Sequence, residues 1–127
     1  MKNNYHDSSL VAIGSADDRV TLTLMLLDGV TVSLVLLESE LFRVCDYIIG
    51  NSTSRLFMMD GKYDVAEIEK KILWVSSLDG VTTYLSKRMM DSYVSRVTSQ
   101  ELSLLVLEPS WGAEVVVLCR VVDEVWP

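Results

Sequence analysis

The chain has 127 residues and a mass of 14.3 kDa; half of its residues are hydrophobic, and 18 acidic against 11 basic residues leave a net charge of −7. That length fits one domain over residues 1–127, large enough to fold without disulfide or metal staples, and the apolar content excludes intrinsic disorder. The acidic balance excludes a general nucleic-acid binder, which needs clustered Lys and Arg, and suits a basic protein partner.

The opening MKNNYHDSSL has one Lys and no apolar core, so it does not read as a secretory signal. His6-Asp7 reads as a turn before a first strand, Ser8 to Ile13, which Gly14-Ser15 ends. Residues 19–37, RVTLTLMLLDGVTVSLVLL, form a hairpin about Asp28-Gly29. A two-residue loop mixes polar and apolar side chains on both faces. A three-residue loop, Leu27-Asp28-Gly29, sets Leu26 against Val30, Leu24 against Val32, Leu22 against Leu34 and Val20 against Leu36. One face is then wholly apolar, so burial selects this register. Gly29 takes the left-handed position of the turn.

Ser39 is placed to cap a short helix, about Glu40 to Ile49, with Gly50 as its stop. Leu41, Val44, Cys45 and Ile48 fall at helical spacing, which makes Cys45 a core residue. Arg55 to Met59 reads as a strand ended by Asp60-Gly61. Asp64 and Glu67 open a helix whose apolar stripe is Val65, Ile68, Ile72 and Val75, with Asp79-Gly80 as its stop. A rival reading makes residues 72–85 a second hairpin, because Asp79-Gly80-Val81-Thr82 repeats Asp28-Gly29-Val30-Thr31. The Glu- and Lys-rich stretch 67–71 favours the helix. Thr83 then caps a helix from about Tyr84 to Val97, with Met90, Tyr93, Val94 and Val97 inward. Residues 101–107 and 113–122 are strands, with Pro109 in the turn between them. The fold class expected is α+β: a mostly antiparallel sheet of about five or six strands, with two or three helices on one face.

No catalytic constellation emerges. The single His lacks a nucleophile or companion ligands, Ser110 lies between strands rather than in a nucleophile elbow, and Cys119 sits in an apolar strand where a thiol is inert. Two Cys without a CxxC spacing do not make a zinc site. Neither a phosphate loop nor a dinucleotide fingerprint is present. The expectation is therefore a non-enzyme with no metal or cofactor. The longest apolar stretch, Leu24 to Leu37, is broken by Asp28-Gly29, well short of the ~20 residues of a membrane helix. A cytoplasmic protein with reduced Cys45 and Cys119 follows.

Three pieces carry a resemblance: His6-Asp7-Ser8 opening a strand, the V-T-L-x-L…D-G-V-x-V-x-L hairpin, and P-S-W-G-A-E-V-V-V-L-C-R-V-V near the end. Together they resemble a group of small bacterial proteins that includes immunity proteins of polymorphic and contact-dependent toxin systems. The pieces span about half the chain, and residues 64–98 add nothing to them. The resemblance implies a protein partner, a cognate toxin domain neutralised by direct binding. Long-range attraction between an acidic protein and a basic target fits that role. The candidate contacts are the acidic residues beside turns, Asp17, Asp18, Asp28, Glu38 and Glu40, with Trp111 and Trp126 as aromatic anchors. Against this, Trp111 has a purely structural reading, as a cover over the sheet end. The alternatives are a homodimer formed through a strand edge and a small ligand-binding domain.

Overall fold

A computed structural model describes residues 4–127. It is α+β, with eight strands in two antiparallel sheets and two helices. The first sheet holds β1 (Ser9–Ala16), β2 (Arg19–Met25), β3 (Thr31–Leu37) and β8 (Val121–Val125), in that order. The second runs β4 (Leu41–Cys45), β7 (Glu114–Cys119), β6 (Ser103–Trp111) and β5 (Ser52–Met59). Helices α1 (Val65–Val75) and α2 (Lys87–Thr98) cover the far face of the second sheet.

The β2–β3 hairpin adopts the register that burial selects. Val20 pairs with Leu36, Leu22 with Leu34 and Leu24 with Val32, and these six side chains are buried. Leu26 N donates to Val30 O at 2.8 Å, Gly29 N donates to Leu26 O at 2.9 Å, and Gly29 sits at φ 86°. The opposite face carries Thr21, Thr23, Thr31 and Ser33, half-buried, which is the ordinary alternation of a sheet covered on one side.

The second sheet is covered on both sides. Leu105, Leu107, Val115, Val117 and Cys119 face the first sheet. Leu104, Val106, Val116 and Leu118 face the helices. That double burial explains why LLVL and VVVLC are apolar without alternation. The expected single sheet of five or six strands is thus corrected to two sheets with two separate cores.

Several elements differ from their expected form. Residues 40–49 are not a helix: β4 replaces it. Leu41 faces the helices while Phe42 and Val44 pack toward the other sheet, so a period of two wins over the helical spacing once both sides are occupied. Ser39 Oγ bonds back to Leu36 O at 3.0 Å instead of capping a helix. Cys45 is half-buried rather than core. The first strand runs through Gly14-Ser15 to Ala16, and the turn follows at Asp17, with φ 55°.

Helix α1 starts as expected, with the Asp64 carboxylate accepting from Ala66 N. Ile68, Ile72 and Val75 are buried, but Val65 is half-exposed. The helix stops at Val75, before Asp79-Gly80. Residues 77–83 then make a tight loop closed by one β-bridge between Ser77 and Thr83, so a remnant of the rival hairpin is present. Helix α2 is capped by Ser86, whose Oγ accepts from Met89 N, because Thr83 is already engaged with Ser76 and Leu85.

Pro109 lies within β6, opposite an irregular stretch of β5. Beyond Leu107 β6 has lost its β7 partner, so a residue without an N–H is tolerated there. The turn comes later, at Gly112, with φ 84°. The expected strand 113–122 is two strands, broken at Arg120, where the chain leaves one sheet for the other.

The sheets are joined at one end and along one side, and the segment before β1 closes the core between them. At one end Arg120 N donates to Leu37 O (3.2 Å) and Ser39 N to Asp18 O (2.7 Å), where both crossovers meet. Along one side the Asn51 amide, 3% exposed, accepts from Leu10 N and donates to Leu10 O and Ile48 O, each at 2.8 Å. At the other end the segment before β1 crosses the core: Tyr5 is buried and its hydroxyl meets the Glu124 carboxylate at 2.6 Å. Among the described residues no helix is long and apolar enough to cross a membrane.

Candidate partner-binding surface

Strand direction decides which side chains gather. Ser9 pairs with Met25, Met25 with Thr31, Ser33 with Val125 and Ser52 with Trp111. Thr53 N donates to Ser8 O at 2.9 Å and ties the two sheets at this end. The β2–β3 turn, the loop after β4, the end of β6 and the end of β8 therefore share one end of the sandwich. Large apolar side chains are exposed there: Ile49 (98%), Leu27 (79%), Trp111 (65%) and Trp126 (50%). Asp7, Asp28 and Asp46 are exposed at the same end.

Local chemistry holds this end in shape. The Asp28 carboxylate accepts from Val30 N at 3.0 Å. Gly112 approaches the loop after β4 so closely that a Cβ would lie 2.8 Å from an Ile48 side-chain atom and 3.0 Å from Asn51 Cβ. Asn51 in turn fixes that loop through Ile48 O. The apolar side chains are thus displayed from a tied frame.

The candidate contacts divide between two ends. Asp28 and Trp111 lie at the apolar end, both exposed. Asp17, Asp18 and Glu38 lie at the opposite end, beside the crossovers. Glu38 is 3.5 Å from Arg120. Glu40 is held by a forked pair with Arg96 at 3.0 and 2.7 Å, and Glu101 completes the set on that guanidinium. The hydrogen bonds that Arg96 donates to Glu40 and then Glu101 raise its pKa, and Glu101 is lowered in return. Glu40 therefore fastens α2 to the start of β4. Leu27 and Ile49, exposed at the apolar end, were not among the candidate contacts. Ile49 lay in an expected helix, and only Gly50 after it pointed to a turn.

Elsewhere, two clefts flank α1. One, about 550 Å³, lies between β4 and the α1–α2 connection, with Phe42, Val75, Leu78 and Tyr84 on its walls. Its polar groups are engaged internally: Arg43 donates to Trp74 O and Leu78 O, both at 3.0 Å, and lies 4.1 Å over the Trp74 ring. The Asp79 carboxylate accepts from Thr82 N (2.7 Å) and Val81 N (2.8 Å), which lower its pKa to about 2. The other cleft, about 400 Å³, has Arg55, Glu108 and Glu114 on the sheet side and Lys70 and Lys71 on α1. Neither lining includes His6 or a Cys.

His6 Nδ1 sits 3.0 Å from the Asp7 carboxylate in an exposed turn. Burial pushes the Cys119 thiol up to about 12. Among the described residues no three His, Cys, Asp or Glu side chains are grouped to hold a metal ion. No protein-family model, curated protein or solved structure matches the chain.

Proposed function

We propose that this chain is a protein-binding module, an immunity protein that neutralises a cognate bacterial toxin by direct binding, and that the partner docks on the end that displays Trp111. The observation that carries the reading is the exposed apolar set Leu27, Ile49, Trp111 and Trp126 beside Asp7, Asp28 and Asp46. An exposed apolar patch rimmed by polar groups marks an interaction surface. Trp is the residue type most enriched in binding hot spots, and a carboxylate rim attracts a basic partner. A net charge of −7 adds long-range attraction to the same partner.

The test is titration calorimetry against the toxin-like product of the adjacent reading frame. A 1:1 complex at micromolar affinity or tighter is expected. Trp111→Ala should weaken it about 30-fold, the effect of a hot-spot loss of about 2 kcal/mol. Asp17→Asn with Asp18→Asn, at the opposite end, should change it less than threefold. No complex at micromolar concentrations would overturn the reading.

A further inference from the structure

We propose that β1 is a self-association edge: a second copy of this chain adds its own β1 antiparallel, on a twofold axis at Gly14, to give one sheet of eight strands, four from each copy. β1 is an outer strand of its sheet. Its beginning is already occupied, since Asn51 takes Leu10 N and Leu10 O, and Thr53 N takes Ser8 O. From Val11 to Ala16 every residue is exposed. That stretch reads VAIGSA and contains no charged residue and no Pro. An edge strand presents unpaired N–H and C=O groups, and proteins blunt such edges with Lys, Pro or inward charges. The other outer strands carry such devices: Asp123 and Glu124 on β8, Arg43 on β4, Arg55 on β5.

The register follows from the pleat. Ala12, Gly14 and Ala16 share a face, opposite Thr23, Thr21 and Arg19 of β2, while Ile13 and Ser15 lie on the other, opposite Leu22 and Val20. Cross-strand partners must share a face. A twofold axis at Gly14 meets that demand, pairing Ala12 with Ala16 of the second copy and Ile13 with its Ser15. It also stays clear of the irregularity between Leu10 and Ala12.

Charge selects a second copy as the occupant. The two Asp17 side chains would lie about 20 Å apart at a rise of ~3.4 Å per residue, beyond the screening length of ~8 Å at physiological salt. Twofold pairing through β8 would instead set Asp123 against Asp123, and like charges directly opposite destabilise a sheet. Docking through the Trp111 end would bring the carboxylates of Asp7, Asp28 and Asp46 together. A basic foreign strand gains nothing from an uncharged edge. This inference does not depend on the toxin-binding reading.

Sedimentation velocity of the whole chain over about 5 to 500 µM tests it, a range that brackets the weak affinities of small interfaces. The unaltered chain should shift from monomer to dimer within that range. Gly14→Lys places two ammonium groups opposite each other and should remain monomeric, whereas Gly14→Thr should still dimerise. Gly14 has no positive φ, and an added Cβ would meet only Thr21 Cβ at 3.8 Å, so both variants keep the monomer fold. Ala12→Lys combined with Ala16→Lys gives an independent second disruption. A monomer throughout for the unaltered chain, or undiminished dimerisation of both Lys variants, would overturn the proposal.

Discussion

Replacing Asn51 by Ala removes one side chain and leaves three buried or half-buried backbone groups without it. Leu10 N loses its acceptor, and Leu10 O and Ile48 O lose a donor, all at 2.8 Å in the native chain. A buried polar group left unpaired costs about 1–3 kcal/mol. Counting only the two Leu10 groups gives a loss of about 3 kcal/mol, a large part of the roughly 5–15 kcal/mol that holds a domain together. For 127 residues the unfolding entropy is about 0.27 kcal/mol/K, so the melting temperature should fall by about 11 °C. Thermal melts by circular dichroism measure this directly. Asn51→Asp separates the two halves of the clamp. It can still accept from Leu10 N, but it sets a carboxylate against two carbonyl oxygens. That environment raises the folded-state pKa above its unfolded value of about 3.9. The penalty is therefore full at neutral pH and shrinks as pH falls through the folded pKa. A drop under about 3 °C for Asn51→Ala, equivalent to less than one hydrogen bond, would refute the reasoning, because a single net bond is already worth about 1 kcal/mol.

Gly29→Val forces a β-branched residue to φ 86°, with nothing within 4 Å of the new Cβ, so the cost is purely backbone. A loss of about 1–2 kcal/mol and a melting shift of about 4–7 °C are expected, with the hairpin register retained by NMR. The Asp79 pKa of about 2 lies below the ordinary carboxylate value, so its support for the loop is complete above about pH 4 and is lost as pH falls through 2. The Val81 and Thr82 amide shifts should titrate with that midpoint. In the native chain a thiol reagent at pH 8 should modify half-buried Cys45 well before Cys119, whose thiol is buried and raised to about 12. Equal rates for the two would contradict the packing of β7.

The hairpin was legible because its two registers bury different side chains and only one gives an apolar face. Helix α1 was legible from a cap and a stripe, although its end was not, since Ser76 and Ser77 draw the chain into the loop before Asp79-Gly80 is reached. The two-sheet division was hidden. A strand buried on both faces has no alternation to read, and in β4 the spacing of Leu41, Val44 and Cys45 fits a helix as well as a strand. At the candidate surface Trp111 could be named from its type and its turn. The split of the acidic residues between two ends could not, because it depends on strand direction and pairing, which separate Asp28 from Asp18 by the full length of β2.

The meeting of Tyr5 with Glu124 brings together two positions 119 residues apart, at the end that displays Trp111. A tag or fusion partner inserted beside either position would therefore crowd the surface proposed for binding. A circular permutant, with a short linker between those positions and a new opening at Asp17-Asp18, would move the fusion point to the opposite pole.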